Sequence, residues 1–171
     1  MVLERLILTR NKDQHIKTRE DRGTYFLLHV SVILSIIVSF SSFPSLSTLL
    51  PYPFFYIGIV FTLLGILLRE ISLLTLGKYF SLQIRIIENH ELVKTGVYRY
   101  IRHPSYTGLL FAILGICISL RSLLAVIITS IICFTSFWLR IRFEEGVMDK
   151  EFGEAYVEYK GKTKKLIPFV F

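Results

Sequence analysis

Two stretches of this chain concentrate side chains that could do chemistry. The first, HELVKTGVYRYIRHPSYTG (His90–Gly108), holds two His, two Arg, three Tyr, one Pro and two Gly. Such a loop can offer fixed donors and acceptors to a polar ligand, or it can be a basic juxtamembrane loop with interfacial aromatics. The second, RIRFEEGVMDKEFGEAYVEYKGKT, begins at Arg140. Arg140 and Glu144 are four apart and share a helix face, with Glu145 beside them, whereas Arg142 points elsewhere. One reading makes Arg140 and Glu144 a helix-surface ion pair worth about 0.2–0.5 kcal/mol. The other has one helix face present a cation and an anion to a buried pocket. Spacing alone leaves both open.

The elements that must position these clusters are apolar. The chain has 171 residues, 53% of them hydrophobic, a mean hydropathy of +0.57 and only 19% charged residues. A soluble domain of this size needs more polar surface, and long uncharged runs separated by charged loops are what a bilayer selects. The net charge of +7 falls in blocks between or beyond the apolar runs. That placement suits inner loops of a membrane protein, and no nucleic acid is expected as a partner.

Transmembrane helices are expected at 25–43, 54–76, 106–120 and 123–139. The first run is rich in Leu, Ile and Val, and its β-branched content would favour a strand in water, yet an isolated strand in lipid leaves its backbone groups unpaired, so a helix is expected. The last two runs flank Arg121-Ser122 and are short, which suggests a tight, tilted or shortened hairpin. Arg69 and Glu70 fall near the inner end of the second run, where an arginine can snorkel. Residues 44–53 hold three prolines and no charge and read as an external turn. The opening MVLERLIL is apolar enough to lie on the interface or the bundle, and no cleavable signal peptide is apparent.

The inner blocks carry six, five and seven Lys/Arg, against none and one in the two opposite loops. An even number of helices with both termini cytoplasmic satisfies the positive-inside rule. The fold class is therefore all-α, a polytopic membrane helical bundle forming a single domain over 1–171. Cys117 and Cys133 lie inside apolar runs without metal-ligand spacing and read as small buried hydrophobes, so no metal is expected.

The order and spacing of several motifs over about the last 100 residues resemble the isoprenylcysteine carboxyl methyltransferase family. That family is a branch of the membrane-embedded methyltransferases that also includes phospholipid methyltransferase-like proteins. The matching features are Leu76-Gly77, His90-Glu91-Leu92-Val93, Gly96, Tyr98 and Arg102-His103-Pro104-Ser105-Tyr106. Arg140, Glu144-Glu145, Phe152-Gly153, Tyr156, Tyr159 and Pro168 follow. The segment EDRG at Glu20–Gly23 is similar to segments before a helix in some relatives.

The resemblance implies an S-adenosyl-L-methionine-dependent enzyme that methylates the carboxylate of a lipophilic acceptor, either a small molecule or a lipid-modified one, reached from the membrane lipid. It also implies a cofactor enclosed by cytoplasmic loops and the C-terminal segment. His90, Glu91, Leu92, Val93, Tyr98, His103, Pro104, Ser105 and Tyr106 would line the cofactor pocket, with Glu144 helping to hold the cofactor. Arg140 would be the catalytic and substrate-binding residue that faces the acceptor. The chain has one helix fewer than the five-helix form of the family. Two alternatives remain at this point, a phospholipid or other amphiphile N-methyltransferase and a non-catalytic membrane scaffold.

Overall fold

The structure is a computed structural model that describes residues 16–19, 23–42 and 49–166. The N-terminal apolar stretch, most of EDRG, half of the external turn and Pro168 lie outside the described residues.

Among the described residues five α-helices follow in chain order: α1 (Thr24–Ser42), α2 (Pro53–Leu76), α3 (Pro104–Ser119), α4 (Leu123–Phe152) and α5 (Glu154–Lys162). The four expected apolar runs are all helical, with starts shifted by no more than two residues. Pro53 and Pro104 open α2 and α3, where a missing N–H costs nothing and the fixed φ suits a helix. Among the described residues three helices, α1, α2 and α4, are long and apolar enough to cross a membrane. At about 1.5 Å per residue, the 16-residue α3 falls short of a full span. By contrast, α4 runs unbroken for 30 residues, so its last turns carry Arg140, Glu144 and Glu145 beyond the apolar segment.

Packing within the bundle relies on small residues, as lipid-embedded helices require. On α2 and α3 the close approach is made by glycines seven residues apart. A Cβ on Gly65 would lie 2.4 Å from Ala112 N, and one on Gly115 would lie 2.5 Å from Thr62 N. Gly58 and Gly108 meet the opposite backbone at similar range. Against α3 and α4, α1 presents Ser31, Ser35 and Ser39, all buried. Ser35 Oγ lies 3.5 Å from Cys133 Sγ and Ser39 Oγ 3.0 Å from Cys117 Sγ, so both cysteines are indeed buried packing residues. The outer side of α2 exposes Val60, Leu63, Leu67 and Leu74, the inside-out pattern of a lipid-facing helix.

At one end of the bundle Arg121, with φ of 60°, turns the chain between α3 and α4. It donates from Nε to Leu50 O at 2.7 Å and accepts from Leu50 N at 2.6 Å. Ser122 then caps α4 by accepting from Ala125 N.

The opposite end gathers the loops. A short antiparallel pair, β1 (Ile16–Arg19) with β2 (Arg85–Ile87), joins there and adds a small β element that the apolar pattern did not announce. Its strands are three and four residues long, too brief for a period-two signal. Behind β2, Ile84 and Ile86 pack on Val147, with Met148 and Phe152 around them, seating the loop on the end of α4.

Candidate active site

The loop end of the bundle encloses a cavity of about 140 Å³. Its walls come from the start of α1, the end of α2, the loop 79–93, the 3₁₀ turn Gly96–Arg99, the start of α3, the end of α4 and α5. Ten of the eleven residues singled out in the sequence line it: His90, Glu91, Leu92, Val93, Tyr98, His103, Ser105, Tyr106, Arg140 and Glu144. Pro104 does not; it is buried in the first turn of α3, which it starts.

Tyr106 sits one turn into α3 and reaches both charges of the α4 cluster. Its hydroxyl donates to Glu144 Oε2 at 2.7 Å and accepts from Arg140 Nε at 3.2 Å. Arg140 is 3% exposed, and its guanidinium also donates to Thr24 Oγ1 and to the Leu82 carbonyl, each at 2.7 Å. It thus ties α1, the loop before β2 and α3 to one point on α4. This departs from the surface-pair reading, because Arg140 is buried and bound to three elements, and it leaves one face of α4 presenting a cation and an anion to the cavity. Arg142 does point elsewhere, over the ring of Trp138 at 4.7 Å.

The opposite wall is aromatic. His90 stacks on Tyr79 with ring centroids 4.7 Å apart and planes 9° from parallel, and Phe152 meets His90 edge-on at 5.5 Å. Burial is the largest influence on the His90 imidazole and lowers its pKa below the usual value; Glu151 opposes this and Lys78 adds to it. Burial also raises the phenols of Tyr98 and Tyr156, reinforced by nearby carboxylates, and takes that of Tyr159 to about 12. These tyrosines therefore remain neutral donors with intact π faces. Two polar atoms of this wall, His90 Nδ1 and Tyr79 Oη, are buried without a hydrogen-bond partner among the described residues. Buried polar groups are nearly always paired, so an orphaned pair in a cavity wall suits a polar ligand.

Several lining residues were not singled out in the sequence. Arg69, placed there only as a snorkelling residue, donates to Ser105 Oγ at 3.0 Å from the inner end of α2. Leu82 and Gln83 belong to the short segment leading into β2, which carries no motif of its own. Tyr25, Leu28 and His29 bring α1 to the cavity. Tyr156 and Tyr159 stood among the motif residues, and α5 turns both into the wall. Glu145 lies behind it, bonded to Arg102 and His103.

A bundle of long lipid-facing helices with a charged and aromatic cavity at its loop end defines an integral, multi-pass membrane protein. Comparison with known proteins gives the family. The model of the isoprenylcysteine carboxyl methyltransferase (ICMT) family matches residues 57–150, and the chain belongs to that family. It is 36% identical over 115 residues to Protein-S-isoprenylcysteine O-methyltransferase B of Arabidopsis thaliana, covering 66% of this chain and 58% of that protein. To the Protein-S-isoprenylcysteine O-methyltransferase of Saccharomyces cerevisiae it is 33% identical over 153 residues, covering 86% of this chain and 64% of the relative. The solved structure of the eukaryotic intramembrane Ras methyltransferase ICMT superposes with a TM-score of 0.69 at 27% identity, over 83% of this chain and 52% of that one. The chain thus spans less than two thirds of the length of these relatives.

Proposed function

We propose that the protein transfers a methyl group from S-adenosyl-L-methionine to the carboxylate of a lipophilic acceptor of the isoprenylcysteine type. The observation that carries this reading is the convergence of Glu144, Tyr106 and Arg140 on one cavity that also holds the orphaned His90 and Tyr79 atoms. When bound, the cofactor supplies an electrophilic methyl group on a sulfonium.

The residues present fit that group. A sulfonium needs anionic and aromatic company, which Glu144 and the Tyr98 and Tyr106 rings provide. His90 Nδ1 and Tyr79 Oη offer unspent hydrogen-bonding capacity to the polar ends of the cofactor. An acceptor carboxylate is already ionised at neutral pH, so no general base is required of the protein. Its task is alignment for in-line transfer. Arg140 is the residue to orient the acceptor oxygens, since a planar guanidinium matches a carboxylate and its bonds to Thr24, Leu82 and Tyr106 fix the fork in advance. The acceptor's apolar part would lie against α1, whose Leu28 and exposed Val30 and Ile33 face cavity or lipid. The charge distribution supports an orientation with the cavity and both termini on the cytoplasmic side.

The direct test is methyl transfer by the detergent-purified protein from labelled cofactor to a panel of prenylcysteine analogues, isoprenoid and fatty acids, and amine-headed lipids. Base-labile methyl esters of carboxylate acceptors are expected. Label appearing only on the amine of a phospholipid would replace this reading with the N-methyltransferase one.

A further inference from the structure

We propose that Glu145 is a positioning residue that acts through Arg102: the pair holds α5 and the segment after it against the cavity and so sets affinity for the cofactor. The inference rests on the reading of the cavity as an S-adenosylmethionine site. Glu145 is buried on α4 one residue beyond Glu144, and it does not line the cavity. Its Oε1 accepts from Arg102 Nε at 2.9 Å and lies 3.4 Å from His103 Nε2, while Lys165 Nζ stands 3.6 Å from Oε2. One carboxylate thus faces three basic side chains, two of which, Arg102 and His103, line the cavity.

The other edge of Arg102 grips the end of α5. Its Nη1 donates to the Lys160 carbonyl at 3.1 Å, to the Thr163 carbonyl, and to Thr163 Oγ1 at 3.3 Å. A guanidinium there satisfies carbonyls that the helix leaves unpaired and suits the negative end of its dipole. Beyond α5 the chain is laced to the start of α3. Lys164 N donates to Tyr100 O, Arg102 N to Lys164 O and His103 N to Lys165 O, and Thr107 Oγ1 donates to Leu166 O at 2.6 Å. On α5 itself, Tyr159 donates to the Tyr98 carbonyl at 2.6 Å, and Tyr156 and Tyr159 complete the aromatic wall. A guanidinium this buried needs a counter-ion, and Glu145 supplies it. Neutralising Glu145 leaves that charge unbalanced, so Arg102 loosens its hold on α5 and the wall loosens with it.

The test uses the full chain in detergent and three variants, E145Q, E145D and T163V. S-adenosylhomocysteine is titrated calorimetrically, and initial rates are taken while cofactor and acceptor are varied separately. E145Q is expected to raise the S-adenosylhomocysteine Kd and the cofactor KM about tenfold, the size of one charge-assisted hydrogen bond. Acceptor KM should stay unchanged. E145D keeps the charge and should recover most of the affinity. T163V, which removes one of the Arg102 contacts together with the bond from Thr163 Oγ1 to the Tyr159 carbonyl, should shift Kd the same way by about threefold, and it decides the matter if E145Q does not fold. A lowered melting temperature with wild-type Kd in E145Q and T163V would make the pair merely structural and overturn the proposal. Equal rises in cofactor and acceptor KM would overturn it too. Absence of S-adenosylhomocysteine binding by the unaltered protein would instead remove the cofactor reading and this inference with it.

Discussion

Tyr106 donates a hydrogen bond from its hydroxyl to Glu144 Oε2 at 2.7 Å, and the same oxygen accepts from Arg140 Nε at 3.2 Å, so a single phenol joins the two charges of the α4 cluster. Tyr106→Phe removes both bonds and leaves the ring in place. Because each bond involves a charged partner, the expected loss is about 1.5–3 kcal/mol. It should appear as weaker S-adenosylhomocysteine binding in a calorimetric titration and as a lower melting temperature. A variant that binds as tightly as the parent would show that the bridge does not organise the site.

Arg140 and Glu144 should divide the labour between acceptor and cofactor. Glu144→Ala is expected to weaken S-adenosylhomocysteine binding, since it removes an anion from a site of reduced dielectric. Arg140→Lys is the better probe of the arginine, because Arg140→Ala would also delete every guanidinium bond to the Leu82 carbonyl and the Thr24 hydroxyl. With lysine, cofactor binding should be largely kept while turnover of carboxylate acceptors falls, by up to about 2–4 kcal/mol in activation free energy. A point charge offers little of the planar fork, so rescue should be small. Loss of cofactor affinity of equal size in both variants would place Arg140 with the cofactor instead.

The α2–α3 hairpin gives a prediction about stability. Gly65→Val places atoms where Ala112 N and Gly108 O already lie, at 2.4 and 2.6 Å from a Cβ. Overpacking should cost about 1–3 kcal/mol or prevent folding, seen as a large drop in melting temperature. Gly146→Ala is the counterpart. A Cβ there meets nothing within 4 Å in the interior of α4, so alanine should stabilise by roughly 0.5–1 kcal/mol.

His90 sets a pH dependence. Burial lowers its folded pKa below the unfolded value of about 6.5. Between those two values the unfolded chain binds more protons, so stability rises with pH there. It is fully present above about 6.5 and is lost as pH falls through the folded pKa. A protonated ring beside a sulfonium would also weaken cofactor binding. Melting temperature and S-adenosylhomocysteine affinity should therefore both decline from pH 7.5 to 5.5, and His90→Gln should flatten both profiles. Parallel curves for variant and parent would assign the decline to other groups.

Orientation is testable in intact cells. A cysteine at position 47, introduced by Ser47→Cys, should react with an impermeant maleimide without permeabilisation. Labelling only after permeabilisation would reverse the assignment of the cavity to the cytoplasmic side.

Much of this arrangement is legible in the sequence, for identifiable reasons. The four apolar runs read as helices because lipid does not tolerate isolated strands, and Pro53 and Pro104 mark two of their starts. The cavity residues, Pro104 apart, were reached through the family resemblance, which rests on the ordered set of His90–Val93, Tyr98, His103–Tyr106 and the Arg140–Glu144 spacing. What escaped depends on tertiary contact. Leu82 serves Arg140 through its backbone carbonyl, which no side-chain motif reports. The spacing of Gly58, Gly65, Gly108 and Gly115 at seven residues was present in the sequence, but only antiparallel packing gives it meaning. Glu145 was visible beside Glu144, yet its partners, Arg102 and His103, lie more than forty residues away.

If the α4 cluster and the aromatic wall hold the S-adenosyl group in this cavity, the folded protein binds S-adenosylhomocysteine there. Calorimetric titration of the folded, detergent-solubilised protein with S-adenosylhomocysteine tests it most directly. The expected result is saturable one-to-one binding that Glu144→Ala and Tyr106→Phe both weaken. No detectable heat from folded protein at millimolar ligand would contradict the account.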